Sequence, residues 1–174
     1  EQINGGRSPF YFYDGNYYCI KKCRLKKIAL SECVGATVVD EKNAFFEYLI
    51  LRNNNGTFVI NTDGEILIPN RVYDEIQYAG NDCVLVQTDG LWGVVSLDNI
   101  VLIDFKYEGI TALWLHDQIY YCFENEEGEV GVIDKCGNLV ISPLYKDIEL
   151  LWGTNGSMWF KVTQDFVSYG IIDE

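Results

Sequence analysis

Between Glu129 and Ile148 the chain reads EVGVIDKCGNLVISPLYKDI. An apolar run is followed by a break at Cys136-Gly137 and a second apolar run. Pro143-Leu144-Tyr145 then leads into a third. Short apolar runs bounded by turn residues predict strands. Related copies recur upstream. Leu91-Trp92-Gly93-Val94-Val95 precedes Asp98-Asn99, Ile100–Ile103 and Phe105–Ile110, and Gly56–Ile60 precedes Asp63-Gly64, Ile66–Pro69 and Tyr73–Ile76. A last run, Tyr169–Asp173, opens one more copy. Self-similarity at a fixed period is the signature of a repeat architecture.

The columns of this repeat follow turn chemistry. Gly64, Asn99 and Gly137 align where a short hairpin loop requires positive φ, which Gly adopts freely and Asn tolerates. Asn61 and Asp134 align at the end of the first strand, where a short polar side chain accepts hydrogen bonds from the backbone ahead of it. A fourth strand completes each unit: Phe45–Leu51, Cys83–Gln87, Ile119–Glu124 and Met158–Thr163. Asn55-Gly56, Asp89-Gly90 and Glu127-Gly128 separate three of these from the next copy, as hairpin turns do.

The start of the chain follows the frame more loosely. Asp14-Gly15-Asn16-Tyr17-Tyr18-Cys19-Ile20 matches Asp89–Val95 in spacing. The expected organisation is one β-repeat domain over 1–174 with units of about 35–40 residues. It comprises a degenerate repeat at 17–56, repeats at 57–91, 92–129 and 130–168, and partial units at 10–13 and 169–173. Ala44, Phe45, Tyr48 and Leu49 also fit helical spacing, so Asp40–Arg52 has a helical alternative, although its place before Asn53-Asn54-Asn55-Gly56 favours strand.

These residues resemble the WG repeat family, whose pattern is Trp-Gly, two aliphatics, Asp, a turn Gly, aliphatics, Pro and Tyr. Trp92-Gly93 is the literal pair; Thr57-Phe58, Val130-Gly131 and Tyr169-Gly170 stand in its column, and Trp152-Gly153 reads as a loop outside it. The resemblance runs from about Asn55 to the end. It implies a β-rich repeat, common in bacterial proteins, with no catalytic motif to carry over. The expected fold class is all-β: tandem antiparallel hairpin repeats, with an open array favoured by the uneven units and propeller-like or barrel-like closure as the alternative.

Composition agrees with that class. Apolar residues make up 48% and aromatics 14% of 174 residues, a length that buries roughly 70% of the unfolded surface. No apolar run is long enough to span a bilayer as a helix. Met158 is the one methionine, so either a leader has been removed or the chain is an excised piece. The net charge of −13 disfavours nucleic acid, whose phosphates require Lys and Arg. Residues 1–30 run against that balance: Arg7, Lys21, Lys22, Arg24, Lys26 and Lys27 face Glu1 and Asp14. Interleaved with Cys19, Ile20, Leu25 and Ile28, they read as the solvated edge of a hairpin.

No catalytic constellation emerges. His116 beside Asp117 lacks a marked nucleophile, and neither a Gly-x-Ser-x-Gly nor a phosphate loop is present. The six cysteines (19, 23, 33, 83, 122 and 136) lack paired CxxC spacing, and with one histidine they do not compose a zinc set. No metal and no cofactor is expected, and the cysteines read as small apolar side chains. Scattered thiols favour a reducing, cytoplasmic compartment, with export after leader removal left open. Asn55-Gly56-Thr57 and Asn155-Gly156-Ser157 are formal glycosylation acceptors, and equally ordinary turns.

The function expected is therefore a non-catalytic interaction module, presenting acidic and aromatic surface to a protein or glycan partner. Trp114, Trp152 and Trp159, near or within loops, are its candidate binding residues. The alternative is an acidic inhibitor of the immunity type that blocks a basic partner, drawn to it by charge.

Overall fold

The computed structural model describes residues 2–3, 8–21, 24–40, 46–80, 82–115, 118–152 and 158–173. Among them, eighteen strands and a short 3-10 turn at Ser31–Cys33 are formed, and no α-helix. The strands lie in five antiparallel sheets of consecutive segments. The first holds β1 (Phe10–Tyr13), β2 (Asn16–Lys21) and β3 (Arg24–Lys27). The second holds β4 (Thr37–Val38), β5 (Tyr48–Asn53), β6 (Gly56–Asn61) and β7 (Ile66–Ile68). The third is β8 (Glu75–Tyr78), β9 (Cys83–Thr88), β10 (Leu91–Ser96) and β11 (Val101–Tyr107). The fourth is β12 (Gly109–Leu115), β13 (Gln118–Glu124), β14 (Val130–Asp134) and β15 (Leu139–Tyr145). The fifth has β16 (Asp147–Trp152), β17 (Met158–Thr163) and β18 (Tyr169–Asp173).

Each sheet is linear with two edges, so none closes into a barrel, and the expected tandem antiparallel units are what the chain builds. Phe10–Tyr13 is the first strand of the first sheet and Tyr169–Asp173 the last of the fifth. Sheet and sequence repeat are nevertheless out of step by two strands. Each full sheet takes the third and fourth strands of one copy with the first and second of the next. Tight turns such as Asp89-Gly90 keep neighbouring strands in one sheet, whereas Pro69–Asp74, Glu108 and Lys146 lead from one sheet to the next.

The chain forms two compact units, residues 1–90 with 94–101 and residues 91–93 with 102–174. In the first, β5 and β6 are buried without a break over Tyr48–Leu51 and Thr57–Ile60, the mark of strands covered on both faces. Phe46, Tyr48 and Tyr78 stack with centroids 5.4–5.8 Å apart. The Tyr48 hydroxyl donates to the Gly80 carbonyl at 2.8 Å, with that of Cys83 at 3.0 Å, and the Ile50 amide donates to the Tyr78 hydroxyl at 3.1 Å. The second unit has a core of Tyr120, Val132 and Ile141 from the fourth sheet against Ile148, Phe160 and Val162 from the fifth.

Turn geometry matches the columns read from sequence. Gly64 (φ 80°), Asn99 (62°) and Gly137 (80°) all sit at positive φ. The carboxamide oxygen of Asn61 accepts from the amides of Asp63 and Glu65, and the Asp134 carboxylate from Cys136 and Asn138, each within 2.9 Å. Asp14-Gly15 and Asp89-Gly90 have positive φ at both positions, the type I′ hairpin. Two turns differ from expectation. Asn53 pairs with Gly56, so the loop is Asn54-Asn55 and not Asn55-Gly56. Glu127-Gly128 belongs to a longer loop in which Asn125 accepts from the amides of Glu127 and Glu129, the same device as at Asn61.

The ambiguous segment resolves as strand from Tyr48 onward; residues 41–45 lie outside the described ones. At the basic N-terminal hairpin, Ile20 pairs with Leu25 on the exposed side and Cys19 and Ile28 are buried, while β3 is exposed at all its positions.

Candidate functional site

The fourth and fifth sheets have the same pattern of pairing, so their residues correspond one to one. Gly131 faces Phe123 as Gly170 faces Val162, and Tyr120 faces Asp134 as Trp159 faces Asp173. Side chains alternate across a strand, which sorts the fifth sheet into two faces. Ile148, Phe160, Val162 and Ile172 point to the shared core. Glu149, Trp159, Lys161, Tyr169 and Ile171 point away from it.

That outward face corresponds to the face through which the fourth sheet buries Tyr120 and Val132, but here it is open. Trp159 is 40% exposed, Tyr169 53% and Ile171 60%. At its centre the Lys161 ammonium lies 2.9 Å from the Glu149 carboxylate and 4.3 Å from the Tyr169 ring centroid. The hydrogen bond to Glu149, above all, raises the Lys161 pKa. Thr111 and Cys122 hold these two positions in the fourth sheet. The fifth sheet thus replaces two small residues by an ion pair, and sets Trp159 in the place of Tyr120 and Tyr169 in that of Val130. Burying such a pair under another apolar sheet is costly. A polar partner, in contrast, meets ring faces, a donor and an acceptor on a single pleated surface.

All three sequence candidates prove to be strand residues. Trp114 is half-buried in β12 opposite Ile119. Trp152, expected in a loop, ends β16 opposite Met158, because pairing with β17 extends the strand to that point; its side chain lies outside the described part. Trp114 and Trp152 share one column of the repeat, whereas Trp159 takes the column of Tyr120. The structure therefore makes Trp159 the one candidate set on an open face with defined neighbours. Lys161, Tyr169 and Glu149 were missed in sequence, since their convergence depends on strand register; alternation within Met158–Thr163 was the available signal.

His116 and Asp117 lie outside the described residues, as do Cys23 and Asn155-Gly156-Ser157. Among the described residues no three His, Cys, Asp or Glu side chains gather as a metal ion requires, and Cys19, Cys33, Cys83, Cys122 and Cys136 are not joined in disulfides. Burial, aided by Glu32, pushes the Cys33 thiol up to about 11; burial and then Asp147 do the same to Cys122. No described helix is long and apolar enough to cross a membrane.

Residues 58–92 match the family model of the WG containing repeat, so the chain carries this repeat. The matched segment runs from Phe58, in the glycine column of β6, to Trp92 in β10 and therefore bridges two sheets. No curated protein matches the chain.

Proposed function

We propose that the chain is a non-catalytic interaction module. Its WG-type β repeats act as a scaffold, and its binding surface is aromatic and acidic, directed at a protein or glycan. The observation that carries this reading is the open face of the fifth sheet, where Trp159 and Tyr169 flank the Lys161–Glu149 pair. Aromatic faces with nearby hydrogen-bonding groups suit sugar rings and peptide backbones alike, because each offers apolar C–H surface edged by polar atoms. Trp114 and Trp152 serve in this reading as secondary contacts near the ends of β12 and β16. The test is retention of the protein on immobilised glycan and peptide arrays at low and at high salt. Retention that survives high salt and is lost in Trp159→Ala is the expected result. Retention indifferent to Trp159, Trp114 and Trp152 would remove the surface from consideration.

The net charge of −13 favours a second reading, an acidic inhibitor that blocks a basic partner. Long-range attraction would then dominate association, and capture would fall steeply with ionic strength. The salt arm of the same experiment separates the two.

A further inference from the structure

The links between successive sheets differ in length. Glu108 alone joins the third sheet to the fourth, and Lys146 alone joins the fourth to the fifth. Pro69–Asp74 joins the second to the third. Between the first and second sheets, residues 28–36 intervene, and they fold into the 3-10 turn Ser31–Cys33 and a turn through Gly35 at φ 72°. A link longer than the topology needs is a common place for binding residues.

This link lies against the β5–β6 turn, and the two are tied together. The Asn53 side chain donates to the Glu32 carbonyl at 2.9 Å and accepts from the Asn55 amide at 2.8 Å. Arg71 holds the same turn, donating to the Asn55 carbonyl at 3.3 Å and to its side-chain oxygen at 3.0 Å. It does so at φ 65°, a conformation uncommon for a residue with a Cβ and one that persists where the surroundings fix it. Between link and turn runs an open groove of about 340 Å³, lined by Ser31, Glu32, Val34 and Asn53-Asn54-Asn55, within the size range of small-molecule sites. All of it belongs to the first compact unit. Its polar groups select a ligand class. Glu32 is half-buried, its carboxylate accepts from the Ser31 hydroxyl at 3.0 Å, and among the described residues no cation pairs with it. Asn54 is exposed and its carboxamide makes no hydrogen bond among the described residues, while the Asn55 carboxamide, its oxygen taken by Arg71, keeps its N–H donors. A metal ion requires acceptors alone, and a phosphate requires donors; this groove holds both. A vicinal diol fits, since one hydroxyl donates to a carboxylate as its neighbour accepts from an amide. The exposed Val34 side chain adds apolar contact for ring C–H groups.

We propose that the groove between the Ser31–Cys33 turn and the β5–β6 turn binds a hexose unit, free or at the end of a glycan. Glu32 accepts from one ring hydroxyl, Asn54 and Asn55 donate to its neighbour, and Val34 lies against a C–H face. Asn53 and Arg71 are positioning residues, which hold the turn in place and leave the sugar to the others. The inference does not depend on Trp159, which belongs to the other compact unit.

The test follows the amide signals of the isotopically labelled intact chain by NMR during titration with the methyl glycosides of glucose, galactose, mannose and N-acetylglucosamine. Saturable shifts at Asn53, Asn54 and Asn55 with at least one of them are expected, and Kd should be the same at low and high salt because the ligand is neutral. Glu32→Gln should weaken binding about tenfold, through loss of a charge-assisted acceptor, and Asn54→Ala several-fold. Both variants should keep the wild-type melting temperature, because the bonds that tie link to turn come from the Glu32 carbonyl and the Asn53 side chain. Trp159→Ala should leave the titration unchanged, so failure here and failure of the surface proposed above are distinguishable. An oligosaccharide ending in the same hexose separates the two sources: binding as tight or tighter identifies a glycan terminus, and its exclusion a free sugar. Absence of saturable shifts with all four glycosides would overturn the proposal, as would undiminished binding by both groove variants or shifts confined to the fifth sheet. So would salt-sensitive binding of N-acetyl-lysine methylamide in place of any sugar, which would give the groove to a basic peptide.

Discussion

Gly137 and Asp134 show how little of each turn is free to vary. Gly137 has φ 80°, and a side chain there would meet nothing closer than Ile103 at 3.7 Å, so backbone strain, not crowding, opposes substitution. Gly137→Val should cost at least about 1 kcal/mol. Gly137→Asn should cost distinctly less, because Asn99 already holds that conformation at the equivalent position. Denaturant midpoints of the two variants check this; equal losses would mean that the turn fails for another reason. Asp134 is held below the usual carboxylate range, chiefly by the Asn138 side chain and then by backbone amides. Asn61 makes the same backbone bonds uncharged, so the column selects an acceptor of a given length and not a charge.

Strands illustrate the same economy one level up. Gly93 and Gly131 lie under the backbone of their neighbours, whereas a methyl group on Gly170 would meet only the Val162 side chain, at 3.6 Å. Gly131→Ala should therefore destabilise by about 1–3 kcal/mol through overpacking, and Gly170→Ala should stay within about 0.5 kcal/mol of wild type. Thermal unfolding of the pair is the measurement, and a comparable loss in both would remove the explanation of the glycine column. Tyr48 tests the link between elements within the first unit. Its buried hydroxyl serves the carbonyls of Gly80 and Cys83, so Tyr48→Phe should cost about 1–3 kcal/mol by leaving them without that donor. A shift no larger than that of an exposed Tyr13→Phe control would mean that water replaces the hydroxyl without loss.

At the scale of the whole molecule, pH reports on the buried thiols. Cys33 and Cys122 rise from 9.0 to about 11 on folding, so the native state keeps protons that the unfolded chain releases. The stability they contribute is complete below pH 9 and is lost as pH rises from 9 toward 11. Tyr48, raised by burial, extends the decline above pH 10. Denaturant midpoints at pH 8 and pH 10.5 should fall accordingly, and the Cys33→Ala/Cys122→Ala double variant should fall less over the same interval. An unchanged slope in that variant would place the alkaline sensitivity elsewhere.

Alternation, turn residues and period were enough to determine that this chain makes antiparallel strands in repeated units. They also located Gly64, Asn99 and Gly137 at positive φ, because those features depend on residues a few positions apart. Hairpins such as Asp14-Gly15 and Asp89-Gly90 were legible for the same reason. Which strands share a sheet was not, since a hairpin and a crossing between sheets both follow an apolar run, and only the packing of each strand decides between them. The open face around Trp159 also required tertiary structure. Trp159, Lys161 and Tyr169 meet Glu149 through the registers of β16, β17 and β18, and a shift of one residue would turn them all to the opposite face. Gly131 and Gly170 look alike in sequence, and only the fold shows that a methyl group would meet backbone at the first and a single side chain at the second.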